Sequence, residues 1–210
     1  MSRNRFPVLI ALGLCGAICV PLLAQNSLLP KIEKAPNKAT LDKPIKDFKL
    51  KDVMHDLKPN EKEEAAQVAL SQFKDKKATL LFFMSEKCSV TWRYEKRMGQ
   101  LMQAYGKKGI AFVGVRCSAN DTPEGLRKFA ESKNFEMPVL NDAKGALTSY
   151  FRVTNTPTFA VLDKKGVLRY RGSFDDSAEE EGVKATYVKD ALNAVLENKQ
   201  VAMKSTAPFG

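Results

Sequence analysis

The apolar positions of this chain fall into two patterns. Leu80-Leu81-Phe82-Phe83, Ile110 to Val115 and Phe159 to Leu162 are short runs without polar alternation, as expected of strands buried on both faces of a sheet. Between them the period changes to that of helices. Met98, Leu101, Met102 and Tyr105 fall at i, i+3, i+4 and i+7, and Lys107-Lys108-Gly109 closes that helix. Asn120-Asp121-Thr122-Pro123 opens another, with Thr122 or Asp121 as cap, Pro123 in the first turn, and Leu126, Phe129 and Ala130 as the buried face. Ala143 to Phe151 reads as a shorter helix, and Val188, Ala191, Leu192 and Val195 line the last one. Ile45 to Leu50 alternates like a strand. Phe159–Leu162 and Val167–Arg171 form an antiparallel hairpin about Asp163-Lys164-Lys165-Gly166.

This order predicts an α/β domain, a central mixed sheet with helices on both faces. Right-handed parallel connections set the ends of the first two core strands side by side. Cys88 and Cys117 both follow such ends, so they share one edge of the sheet. Cys88 also stands where a buried strand hands over to a helix, where free first-turn amides and the helix dipole favour a thiolate. Lys87, Arg93 and Lys96 nearby are expected to push the same way. A cysteine at a strand end can equally be a small buried hydrophobe.

Thr156-Pro157-Thr158, opening the third apolar run, changes the balance. Cys88 after a buried strand, Thr-Pro-Thr before another, and the Asp163–Gly166 turn together resemble a thioredoxin fold. More narrowly, the chain resembles the redoxin group, the alkyl hydroperoxide reductase/thiol-specific antioxidant-like and thiol–disulfide oxidoreductase-like proteins. The likeness spans about Leu41 to Lys199. Lys46–Leu50 and Val68–Phe73 match the group's opening hairpin, an N-terminal extension of a three-layer fold, and Met137–Asp142 matches its second half. The resemblance implies that Pro157 follows a cis bond and packs against the reactive Cys88, with Thr156 and Pro157 orienting the substrate. It also implies that Thr91 occupies the place of a resolving cysteine, because Cys88-Ser89-Val90-Thr91 lacks the second thiol of Cys-x-x-Cys. Ser85-Glu86-Lys87-Cys88 fits the core of the peroxiredoxin signature, without the proline that family places ahead of it. The substrate implied is a disulfide or a peroxide, with an external thiol reductant or Cys117 as resolving partner. Arg93 and Arg116 are candidates to polarise a peroxide, or else ordinary solubilising charges. The alternative is a binding or scaffold protein that has kept the fold and lost turnover.

Composition narrows the partners. The formal charge is 34 − 24 = +10 over 210 residues. The excess is scattered lysine without an arginine-rich run or basic–aromatic interleave, so nucleic-acid binding is not expected. Met1 to Ala24 reads as a secretory signal: Arg3 and Arg5, an apolar core from Val8 to Val20, and cleavage before Gln25. Leu22 at the −3 position leaves an uncleaved membrane anchor as the alternative, and either places the protein outside the cytoplasm, in a periplasmic or similar compartment. Gln25 to about Thr40 reads as a linker, 41–199 as the redoxin domain, and 200–210 as a tail without pattern. Cys15 and Cys19 belong to the signal. The mature chain then holds Cys88, Cys117 and one histidine, His55, which reads as a loop residue. These are too few soft ligands for a zinc or copper site, and no metal or cofactor is expected.

Overall fold

The computed structural model describes residues 38–55, 62 and 66–209. The signal segment, most of the linker and residues 56–61 and 63–65 lie outside the described residues. In chain order the elements are β1 (Lys49–Lys51), β2 (Gln67–Ala69), β3 (Ala78–Met84), α1 (Ser89–Arg93), α2 (Glu95–Gly106), β4 (Ile110–Arg116), α3 (Pro123–Ser132), β5 (Val139–Leu140), α4 (Ala146–Tyr150), β6 (Thr158–Asp163), β7 (Leu168–Gly172) and α5 (Tyr187–Leu196). The main sheet runs β5-β4-β3-β6-β7, and β1 pairs with β2 in a separate hairpin. β3, β4 and β5 are parallel, whereas β6 and β7 are antiparallel to their neighbours.

Every residue of β3 is buried. Its even positions, Leu80, Phe82 and Met84, share a core with Met98 of α2, Leu126 and Phe129 of α3, and Val188 and Leu192 of α5. Its odd positions, Leu81 and Phe83, face Leu147 of α4 and Phe151, with the segment around Leu41 to Leu50 packed over them. The unbroken apolar run is therefore two faces read alternately, each under its own layer. Phe82 stacks on Phe159 of the neighbouring strand at 4.9 Å between ring centres.

Several elements are shorter than the periodicity suggests. The expected strand at Ile45–Leu50 hydrogen-bonds as a ladder only at Lys49–Lys51, because Pro44 and Ile45 are engaged with the β6–β7 turn instead. After Ala69, the expected second hairpin strand winds into a 3-10 turn, Leu70–Phe73. The fourth helix begins only at Ala146. Gly145 enters it in the left-handed conformation at φ 63°, and the Asp142 carboxylate takes the Leu147 and Thr148 amides. The β6–β7 turn is as expected: Asp163 accepts from Lys165 and Val167, and Gly166 sits at φ 71°.

Both sheet edges are covered. Asp52 and Lys51 bind the β5 edge through Val139 and Asn141. The tail, patternless in sequence, lies along β7: Ser205 bridges to Arg171, and Thr206 meets the Tyr170 hydroxyl. Covering an edge strand removes a template for unwanted pairing.

Candidate active site

β3 ends at Met84, and the chain turns through Ser85–Lys87 to Cys88, the N-cap of α1, at φ −86° and ψ 116°. The turn is closed from beneath. Ser85 is buried, its carbonyl accepts the Cys88 amide at 3.2 Å, and its hydroxyl donates to Asp121 at 2.7 Å. Glu86 lies over Gly125, where an added Cβ would fall 1.9 Å from its carboxylate oxygen, and it accepts the Thr122 amide. Thr122, not Asp121, caps α3.

The other wall comes from the opposite half of the fold. β6 pairs with β3 so that Thr158 stands beside Phe83, which brings Thr156 to the Cys88 turn. The Thr156–Pro157 bond is cis, and the Cys88 thiol donates to the Thr156 carbonyl at 3.1 Å. Cys88 is half-buried. Burial by itself raises its pKa, but the Thr156 side chain, the Thr91 amide and hydroxyl, and the Val90 amide prevail, and the thiol ionises below its ordinary value. Thr91 is fully buried, and its hydroxyl has no other hydrogen-bond partner among the described residues. A donor left idle until the sulfur ionises acts on the thiolate and not on the thiol.

The basic side chains expected to lower that pKa are occupied elsewhere. Lys87 pairs with Glu86, Arg93 with Glu179 and Lys96 with Glu180. Arg116 is bound to Asn141 and to the carbonyls of Ser118 and Ala119. The helix contribution is also local: α1 has five residues, and a bend at buried Tyr94 separates it from α2. Short hydrogen bonds to the sulfur, not long-range charge, hold the thiolate down.

Cys117 sits on the same sheet edge, as the β3–β4 register requires, since Met84 pairs with Arg116. Both cysteines are free. The Cys117 thiol points back along β3 to the Met84 carbonyl at 3.2 Å and packs against the second core. Burial, with Asp121, Asp142 and Cys88 adding charge, pushes its pKa up to about 12. His55 lies near Asp52 at the end of β1, away from these contacts. Among the described residues no cluster of His, Cys, Asp and Glu could hold a metal. No described helix is long and apolar enough to cross a membrane.

Two neighbours of the site escape a reading of the sequence alone. Asp121 looks like a cap, yet it is buried against Ser85 of the turn that leads to Cys88, where burial, with the Glu86 charge, raises its pKa against the pull of the Ser85 hydroxyl. Trp92 has no periodic partner in sequence, and one of its atoms bonds the Cys88 turn.

Replacing Thr91 by valine tests the idle hydroxyl. The Cys88 alkylation midpoint is expected to rise while thermal stability holds or improves, since a buried unpaired hydroxyl costs ~1–3 kcal/mol. A midpoint that stays put would mean that the amides alone set it.

Comparison with known proteins converges on one group. The AhpC/TSA family matches residues 41–171. The thiol-disulfide oxidoreductase ResA of Bacillus thuringiensis subsp. konkukian (strain 97-27) is 26% identical over 168 residues, 79% of this chain and 86% of that protein. Thioredoxin-like protein YneN of Bacillus subtilis (strain 168) is 33% identical over 94 residues, 44% of this chain and 54% of its own. Among solved structures, an uncharacterized conserved protein from Geobacillus kaustophilus matches with a TM-score of 0.69 at 26% identity, covering 81% of this chain and 89% of that one. Peroxidoxin BcpB from Mycobacterium tuberculosis shares the fold at a TM-score of 0.57 and 20% identity, over 76% and 97% of the two chains.

Proposed function

This chain belongs to the AhpC/TSA family, and from that premise we propose that it is an exported thiol–disulfide oxidoreductase working through the single nucleophile Cys88. The observation that carries the reading is the half-buried sulfur set among the donors of Val90 and Thr91 and against the Thr156 carbonyl. The Cys88 thiolate attacks one sulfur of a substrate disulfide. A Cys88–substrate bond forms, the substrate S–S bond breaks, and the second substrate sulfur leaves as a thiolate. Thr91 stands where a second thiol would release the mixed disulfide, and its hydroxyl cannot do so. An external thiol attacks instead, restoring the Cys88 thiolate.

The thiol of Cys117, ionising only near 12, is a poor resolving nucleophile at neutral pH. The peroxide alternative consumes a proton, turning thiolate and ROOH into sulfenic acid and ROH, and gains from a cation at the sulfur. Arg93 and Arg116 are both engaged elsewhere, which favours the disulfide. Similarity to the thiol-disulfide oxidoreductase ResA adds to the same side. Met1 to Ala24 supports export, whether the segment is cleaved or kept as an anchor.

The test is intact mass after incubation with glutathione disulfide, then with dithiothreitol. One glutathionyl group should appear on Cys88 and leave again. A Cys88 that reacts no faster than a free thiol would favour a scaffold that has lost turnover. Cys117→Ser should give the same adduct at the same rate. A wild-type product lighter by two hydrogens, absent from that variant, would instead make Cys117 the resolving thiol.

A further inference from the structure

The end of the sheet opposite Cys88 gathers positive charge. Lys77 leads into β3, Lys164 and Lys165 form the β6–β7 turn, and Lys199 follows α5. Together with Arg169 and Lys204 they line a cavity of about 590 Å³. β3 has seven residues, so ~20 Å of strand separates this cavity from the Cys88 turn. Two carboxylates also line it, and both are engaged. Asp163 accepts from Arg169 Nε at 2.8 Å, while Asp42 accepts from the same guanidinium at 3.0 Å and from Lys204 at 2.7 Å. Two cations and two anions thus cancel, and Lys199 pairs with Glu197 at 2.6 Å. Lys77, Lys164 and Lys165 are left over. All three are exposed, and none has a carboxylate partner among the described residues.

Strand register brings these three together. Ala78 of β3 pairs with Asp163 of β6, so Lys77 and Lys164 are the next residues out on the two strands, and Lys165 follows in the turn. Like charges set opposite each other cost stability, and no described carboxylate offsets these. A concave site lined by one sign of charge concentrates counter-ions. Lysine ammonium groups bind phosphate as point charges, and Asn198 and Gln200 border the cavity with further amide donors. Its volume is also that of a small-molecule site. The geometry points to a binding site for a compact, multiply charged phosphate, such as a pyrophosphate group, remote from the thiol chemistry. The C-terminal end of α5 borders the cavity and opposes an anion, but the Lys199 and Asn198 amides already occupy its Ala194 and Val195 carbonyls. Lys74, Lys76 and Lys107 lie exposed at the same end of the sheet but outside the cavity, so they add to the field without shaping the site.

Equilibrium dialysis of the full chain against inorganic pyrophosphate tests the site. One equivalent is expected to bind with a Kd below ~1 mM, weakening as salt rises because the attraction is electrostatic. Lys77→Gln/Lys164→Gln/Lys165→Gln should weaken binding about tenfold or more, with Tm held or raised because like charges are relieved. Lys74→Gln/Lys76→Gln/Lys107→Gln removes the same charge from outside the cavity, and should weaken binding by less than about threefold. Equal losses in the two variants overturn the site in favour of diffuse surface charge. So does binding in wild type that never saturates at one equivalent, or no binding at all. Citrate has a similar charge with its carboxylates spread further apart, and it is expected to bind more weakly. Citrate binding as tightly as pyrophosphate overturns the phosphate assignment. Retention by phosphatidylglycerol vesicles without uptake of free pyrophosphate overturns the cavity as well, and makes this end of the protein a membrane-facing surface.

Discussion

Cys88→Ser is expected to abolish disulfide exchange, a fall of at least ~10³-fold, with the fold intact, because a serine hydroxyl stays protonated where the thiol ionises. In the wild type, the alkylation rate of Cys88 should climb with pH and level off at a midpoint below ~8.5, the free-cysteine value. The sign follows from the state that reacts. Only the thiolate is alkylated, so a pKa lowered by the donors of Thr156, Thr91 and Val90 moves the whole profile toward acid. Cys117 should behave in the opposite sense. With its pKa near 12, roughly one Cys117 in 10⁵ is a thiolate at pH 7. Peptide mapping after brief alkylation should therefore find label almost wholly on Cys88. Equal labelling of both, or a Cys88 midpoint at or above the free value, would remove the basis for assigning the chemistry.

Arg97→Met is expected to lower stability by about 3–5 kcal/mol, the range for removing one partner of a buried ion pair. Arg97 and Asp175 are paired with side chains only 8% and 3% exposed. The guanidinium also donates to the carbonyls of Ser177 and Ala178 and lies 4.2 Å from the Tyr94 ring centre. Methionine fills much of the volume yet strands the Asp175 charge and two carbonyls. For a chain of this size each kcal/mol shifts Tm by about 2–4 °C, so a drop of roughly 6–20 °C should be seen. Adding Asp175→Leu should recover a good part of the loss, since the uncompensated charge is then gone. A single-variant loss under ~1 kcal/mol would show that the pair is not what holds this region. The consequence reaches the site. The loop fixed by Arg97 carries Glu179 and Glu180, which hold Arg93 and Lys96 at the α1–α2 bend. Exposed pairs of that kind contribute little alone, and their role here is to seat the helix that begins after Cys88.

The architecture was legible in the chain wherever burial is all or nothing. Leu80–Phe83, Ile110–Val115 and Phe159–Leu162 have no polar position to spare, and such runs fit only a sheet covered on both faces. Met98, Leu101 and Tyr105, and Leu126, Phe129 and Ala130, announce helices with one buried stripe. From those elements and right-handed connections, the common edge of Cys88 and Cys117 follows without coordinates. Legible too, through the family resemblance, was the cis bond at Pro157.

What the sequence could not supply are the contacts that turn an edge into a site. Lys87, Arg93 and Lys96 stand beside Cys88 in sequence and so look like its electrostatic partners, but acidic residues in the turn and in the 179–180 loop claim them. The Cys88 thiolate is held by near neighbours at Val90 and Thr91 and by Thr156, a residue 68 positions away. Asp121 reads as a helix cap until the β3 and β4 ends meet and bury it against Ser85. Trp92 reads as one more aromatic until Glu86, Phe129 and Lys133 close around it. Hydrophobic periodicity reports which side of an element is dry, and by itself it settled the layers of this protein. Hydrogen bonds and charges act over a few ångströms, so which groups surround the sulfur was decided only when the tertiary fold brought distant turns together.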